Sequence, residues 1–153
     1  MRIAQIAPLA ESVPPKLYGG TERVVSWLTE ELVGLGHDVT LFASGDSTTS
    51  AKLVPVLPRA LRLGRPRLDP MAAQAELLET VAQHAASFDL IHSHIDWLHL
   101  PLLSRLGVPF ITTPVCTENL NPDVVVMKST KDRAGTYDSG PLNGARDGRI
   151  FIQ

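Results

Sequence analysis

The stretch Pro14-Pro15-Lys16-Leu17-Tyr18-Gly19-Gly20-Thr21-Glu22-Arg23-Val24-Val25 carries the chain from a first strand into a first helix, and its reading decides the fold. Before it, Arg2-Ile3-Ala4-Gln5-Ile6-Ala7 is a short apolar run suited to a buried strand. After it, Val24, Val25, Leu28, Leu32 and Leu35 recur at helical spacing. Gly19 and Gly20 therefore fall at a strand-to-helix crossing. Adjacent glycines there free the backbone for positive φ and bring bare N–H groups close to a ligand, and the positive end of the helix dipole points the same way. That arrangement suits a phosphate. The competing reading is a tight turn that needs glycine for geometry alone.

Working outward, Pro8 to Tyr18 is a long loop, with prolines at 8, 14 and 15 favouring extended or turn backbone. The side chain of Thr21 is placed to cap the helix, Glu22 complements its dipole, and Gly36 after Leu35 closes it. Val39 to Ala43 is a second strand, so the unit is strand–helix–strand with parallel pairing and a right-handed crossover. The polar cluster Ser44 to Ser50 reads as a solvated loop, with ligand contact as the alternative. Lys52 to Leu57 reads as an edge strand, because Pro55 and Pro58 exclude an interior position. Arg59, Arg62, Arg65 and Arg67 form a basic run that reads as solvated surface, with an anionic membrane surface or a phosphate as alternatives.

Asp69-Pro70 is an N-cap followed by a first-turn proline, opening a helix to about Ser87 with Leu77, Leu78, Val81, Ala82 and Ala85 as its buried stripe. Phe88 to His94 reads as a strand, Trp97 to Leu106 as a short helix, and Val108 to Thr113 as a further strand. This alternation specifies an α/β, Rossmann-like open sheet, mainly parallel, with helices on both faces. From Pro114 onward the pattern is lost: Val124 to Met127 is the only strong apolar run before Ile150, and glycines interrupt the rest. The expected division is an ordered domain over 1–113 and an irregular segment over 114–153, cut first by protease after Lys128, Lys131 or Arg133.

With 153 residues the chain can bury one sizeable core. Its 44% hydrophobic and 20% charged content is that of an ordinary globular protein. A net charge of −2 argues against a nucleic-acid footprint. No run approaches the roughly 20 apolar residues of a membrane span, and no leader pattern is visible. Cys116 is the lone cysteine, which fits a reducing cytoplasm, and cytoplasmic localisation is the expectation.

Ligands of an open parallel sheet bind outside the carboxyl ends of its strands, where strand order reverses. With the order third, second, first, fourth, fifth, the reversal lies between the first strand and the one ending at His94. The Gly19-Gly20 turn and His92-Ser93-His94-Ile95-Asp96-Trp97 then share a crevice, suited to a polyol and its reacting hydroxyl. His94 and Asp96, at the strand's mouth, are the candidates for ligand contact. His92 reads as a hydrogen-bonded core residue and Trp97 as packing for the following helix. A metal site using His92, His94, Asp96 and His99 is a weaker alternative, without cysteine or a helical histidine pair. No metal and no cofactor are expected. A Ser–His–Asp triad is not supported by Ser93, which lies within a strand. A nicotinamide-dependent oxidoreductase is disfavoured by the missing G-x-G-x-x-G and by the lack of an acidic residue ending the second strand.

Four segments in order, Met1 to Pro15, Tyr18 to Ser47, Phe88 to Trp97 and Gly107 to Thr113, resemble the amino-terminal half of a retaining glycosyltransferase of family 4. The resemblance implies one half of a two-domain GT-B architecture, truncated, with the nucleotide-sugar-binding domain absent. It implies transfer of a hexosyl group from a nucleotide sugar to an acceptor hydroxyl, with Gly19 and Gly20 contacting the donor diphosphate or the acceptor. Donor and acceptor are the implied partners, with peripheral membrane contact as an addition. The family's Thr-x-His-Gly pattern after the last strand is replaced by Thr112-Thr113-Pro114-Val115-Cys116. Because a cleft between two domains supplies most of the catalysis and half a cleft supplies little, activity of the chain alone is expected to be negligible. The alternative is a non-catalytic Rossmann-like binding module, or an inactive remnant that needs a partner domain.

Overall fold

The computed structural model describes residues 1–62, 64 and 68–113; the expectations for 114–153, Arg65 and Arg67 fall outside them. Five strands, β1 (Arg2–Ile6), β2 (Asp38–Ser44), β3 (Lys52–Leu57), β4 (Leu90–Ser93) and β5 (Phe110–Thr112), form one sheet in the order β3-β2-β1-β4-β5. Every pairing is parallel, with Gln5 opposite Leu41 on one side and His92 on the other. The order reverses between β1 and β4, as the sequence reading expects, and β3 with its Pro55 is an edge strand.

Helices α1 (Gly20–Gly34), α2 (Pro70–His84) and α3 (Leu100–Leu106) complete the fold. Side chains alternate across a strand, so Ala4, Ile6, Phe42, Ile91 and Phe110 face one way and form the main core with Leu77, Val81 and Leu103 of α2 and α3. The opposite face holds a smaller core of Ala7, Leu41 and Ala43 with Val13 and Val25. Asp69 caps α2 by accepting from the Met71 amide at 2.9 Å, with Pro70 in the first turn. Gly107, at φ 72, ends α3. Strand β4 is shorter than the expected Phe88–His94, and just before it Asp89 Oδ1 accepts from Arg2 Nη2 at 2.7 Å.

One local expectation changes, and α1 closes at Gly36 as expected. Helix α1 begins at Gly20 with Gly19 as its N-cap and no side-chain cap, so Thr21 lies inside the first turn. Its closure is a Schellman arrangement. Gly36, at φ 83, donates to Val33 O at 2.9 Å and His37 donates to Leu32 O at 3.1 Å.

The link between β2 and β3 is also unusual. These strands are parallel neighbours joined only by residues 45–51, with no crossover helix, so the chain returns as an extended strap. Glu30 of α1 pins it, accepting from Thr49 Oγ1 at 2.6 Å, from the Ser50 amide at 3.1 Å and from the Ser50 hydroxyl. Burial pushes the Glu30 carboxyl up, but these bonds outweigh it and hold it below the usual carboxylate range. The cluster Ser44 to Ser50 is thus knitted into the fold: Ser44 is fully buried and the Thr48 amide donates to Val13 O at 2.7 Å.

Candidate functional site

At the carboxyl end of β1 the chain enters the loop that leads to the glycine turn. Leu61 and Arg62, beyond β3, donate their amides to Leu9 O and Ala10 O at 2.9 and 3.0 Å, tying the loop's first half to the neighbouring segment. Arg62 Nη1 then reaches Glu11 Oε1 at 3.0 Å and Tyr18 O at 2.9 Å. The Glu11 amide donates to Glu22 Oε1 at 3.2 Å, so a carboxylate of α1's first turn satisfies the loop backbone. Burial raises the Glu22 carboxyl above its ordinary range, partly offset by the hydrogen bonds of its own and the Glu11 amide and by Arg62.

The glycines have different roles here from those their adjacency suggests. Gly19 has φ 175, which is extended backbone, and the glycines at positive φ among the described residues are Gly36 and Gly107. What requires glycine at 19 is space. A Cβ there would lie 2.8 Å from Pro15 Cβ and 2.9 Å from Glu22 Oε2. Gly20 is exposed and a Cβ on it would meet nothing within 4 Å. The open approach to the helix start is therefore over Gly20, while the Gly19 side is filled by Glu22.

Across the strand-order reversal, the His94 amide donates to Ile6 O at 3.0 Å, so the segment after β4 continues along the end of β1. The rings of His92 and His94 project to one face and stack with centroids 4.1 Å apart. His94 is the deeper of the two, only 2% exposed, and its Nε2–H donates to Gln5 Oε1 at 2.8 Å. This reverses the expected order, in which His92 is the core residue. His92 Nε2 lies 2.9 Å from Thr113 Oγ1. Burial lowers His92 to about 4; burial, then the neighbouring His92, lowers His94 to about 3. A general base works best with a pKa near the working pH, so both imidazoles act at neutral pH as hydrogen-bonding groups rather than proton carriers. His94 Nδ1 and Gln5 Nε2 are buried with no partner.

Asp96 is exposed at the rim, and its carbonyl accepts from His99 Nδ1–H at 2.6 Å. His99 turns to the other face, where its Nε2 accepts from the Thr112 hydroxyl at 2.6 Å. The four residues of the metal reading therefore do not converge, and no group of three metal-ligating side chains occurs among the described residues. Trp97 opens a turn of 3₁₀ helix at 97–99 and is 42% exposed. Ser93 is fully buried with no partner for its hydroxyl, which removes it from nucleophilic chemistry.

The fold brings the glycine turn and the end of β4 to one edge of the sheet. It also places Gln5, Glu11 and Arg62 there, which sequence reasoning missed. Gln5 had a signal, a polar side chain inside an apolar strand run. Arg62 looked like its neighbours in a basic run, and Glu11 had none.

No helix among the described residues is long and apolar enough to cross a membrane. The chain is similar to AviGT4, a glycosyltransferase involved in avilamycin A biosynthesis, at 29% identity over 73% of this chain and 31% of that one, with a TM-score of 0.48. It is similar to sucrose-phosphate synthase from Thermosynechococcus elongatus at 19% identity over 73% of this chain and 32% of that one, with a TM-score of 0.48. The carboxyl-terminal domain of the coenzyme A biosynthesis bifunctional protein CoaBC matches at 14% identity over 85% of this chain and 54% of that one, with a TM-score of 0.42. The chain thus spans about a third of the length of the two glycosyl-transfer structures. No match is found among curated proteins. A family described as Glycosyltransferase Family 4 matches residues 18–118, from Tyr18 of the glycine turn through β5. The chain belongs to that glycosyltransferase family, and residues 18–118 are its glycosyltransferase-like part.

Proposed function

We propose that residues 1–113 form the acceptor-side domain of a cytoplasmic, retaining GT-B glycosyltransferase that passes a hexosyl group from a nucleotide sugar to an acceptor hydroxyl. The observation that supports this reading is that the loop to the Gly19-Gly20 turn and the His94–Asp96 segment leave the carboxyl ends of β1 and β4, the neighbours between which strand order reverses and beside which open parallel sheets hold their ligands. In this reading the exposed Gly20 amide and the start of α1 meet the diphosphate, with Gly19 supplying the close packing beneath. Asp96 at the rim accepts from a substrate hydroxyl, and His94 stays neutral and orients the site through Gln5. Positioning and electrostatic stabilisation of the leaving diphosphate supply the rate, so no metal is required of this half.

Titration of the isotope-labelled chain with nucleoside diphosphates and sugar phosphates tests this. The expected result is saturable amide shifts at Gly19, Gly20 and Asp96. A folded chain showing no such shifts up to roughly 10 mM ligand, weaker than any affinity of interest, rejects the assignment.

A second reading, a non-catalytic binding module, is favoured by one observation: the Glu22 carboxylate already fills the Gly19 side of the helix start. Turnover of a nucleotide sugar by the chain alone would exclude it.

A further inference from the structure

The face that α1 turns to solvent is self-complementary. The helix buries Thr21, Glu22, Val25, Ser26 and Thr29, with Leu28, Leu32 and Val33 half-buried. Val24, Trp27 and Glu31 are exposed on one face of the helix, with Arg23 exposed beside them. Trp27 at its centre is 64% exposed, and Leu35, one turn beyond Glu31, is 72% exposed.

We propose that this face is where a second copy of the chain docks, α1 against α1 in antiparallel order around a two-fold axis at Trp27. Such an axis makes the interface isologous, so residues equally far before and after Trp27 meet. Arg23, four residues before, then meets Glu31 of the second copy, four residues after, and each such contact occurs twice. Neither side chain has an ionic partner among the described residues. Crossed at Trp27 in ridges-into-grooves fashion, the two helices splay apart toward their ends, which leaves the Gly20 amide open to a ligand. Glu30, which would otherwise face Val24 of the second copy, is held down by Thr49 and Ser50. The two indoles meet at the axis, where desolvated aromatics contribute most to an interface. A 15-residue helix is about 22 Å long, so the contact is smaller than the ~1,200 Å² typical of stable complexes and the dimer is weak.

Sedimentation equilibrium of the full chain across concentration and salt tests this. The expected result is a reversible monomer–dimer equilibrium that weakens with salt. Arg23→Glu or Glu31→Arg alone should weaken association about tenfold, since each reverses two pairs. A 1:1 mixture of the two single variants should restore it: in the mixed dimer the introduced carboxylate meets the introduced guanidinium at one contact, and Arg23 meets Glu31 at the other. Trp27→Asp should abolish association. Far-UV circular dichroism checks that each variant is folded. A folded chain that stays monomeric to roughly 1 mM at low salt, beyond the range of weak interfaces, overturns the proposal. So does a dimer indifferent to Trp27→Asp, a mixture that fails to restore association, or a monomer that instead sediments with phosphatidylglycerol vesicles through Trp27.

Discussion

Arg62 Nη1 donates to Glu11 Oε1 at 3.0 Å, joining the segment after β3 to the loop before α1 across 51 residues of sequence. The carboxylate is fully buried and its second oxygen has no partner, whereas the guanidinium is half-exposed. The same Nη1 holds the Tyr18 carbonyl, so one cation fixes both the buried charge and the backbone next to the glycine turn.

Removing the guanidinium leaves that carboxylate uncompensated. Arg62→Ala should destabilise the fold by about 3 kcal/mol, the low end of the range for breaking a buried pair, because Arg62 itself is partly solvated. Glu11→Gln in the Arg62→Ala background should recover part of the loss, which a double-mutant cycle in urea would measure. Losses of the two single variants that simply add in the double variant would show that the pair is not coupled.

Acid should unfold the protein through its histidines. The folded pKa values of His92 and His94, about 4 and about 3, lie below the ordinary value near 6.5. The unfolded chain therefore takes up protons first as pH falls. The stability contributed by neutral His92 and His94 is full above pH 6.5 and is lost on descent through about 4 and 3, at up to about 1.4 kcal/mol per pH unit for each imidazole. Asp46 and Asp89, both held below the ordinary carboxylate range, add their own loss only on descent from about pH 4. Thermal unfolding from pH 8 to 4 should show Tm falling from about pH 6.5, and His94→Gln should flatten that decline. A Tm independent of pH between 6.5 and 5 would contradict the burial of these imidazoles.

The two glycines should separate on substitution. Gly19→Ala drives a Cβ into Pro15 and Glu22 and should cost about 1–3 kcal/mol. Gly20→Ala enters open space at the first helical position and should be neutral or stabilise by up to about 1 kcal/mol. Gly20→Val keeps the fold yet screens the amide. If that amide meets the diphosphate, affinity for a nucleoside diphosphate should fall with Tm retained.

The sequence by itself determined the order and type of the elements. Val39 to Ala43, the Asp69-Pro70 start and the β4 and β5 runs are local signals, and parallel alternation of strand and helix leaves few topologies. The strand order and its reversal beside β1 followed from those constraints and match the sheet observed. Only the tertiary structure decided which way each side chain faces. Helix α1 has an apolar stripe at helical spacing, yet Val24 and Leu35 turn outward and Glu22 and Thr29 inward. The reason is that the loop before α1 and the strap at 45–51 run beneath and beside it, and their backbone amides need carboxylate partners. The site shows the same division. That Gly19-Gly20 and His94 lie at one edge could be read from topology. That His94 is sealed against Gln5, and that Arg62 alone of the described basic run closes on Glu11, depends on contacts 89 and 51 residues apart, which no local pattern records.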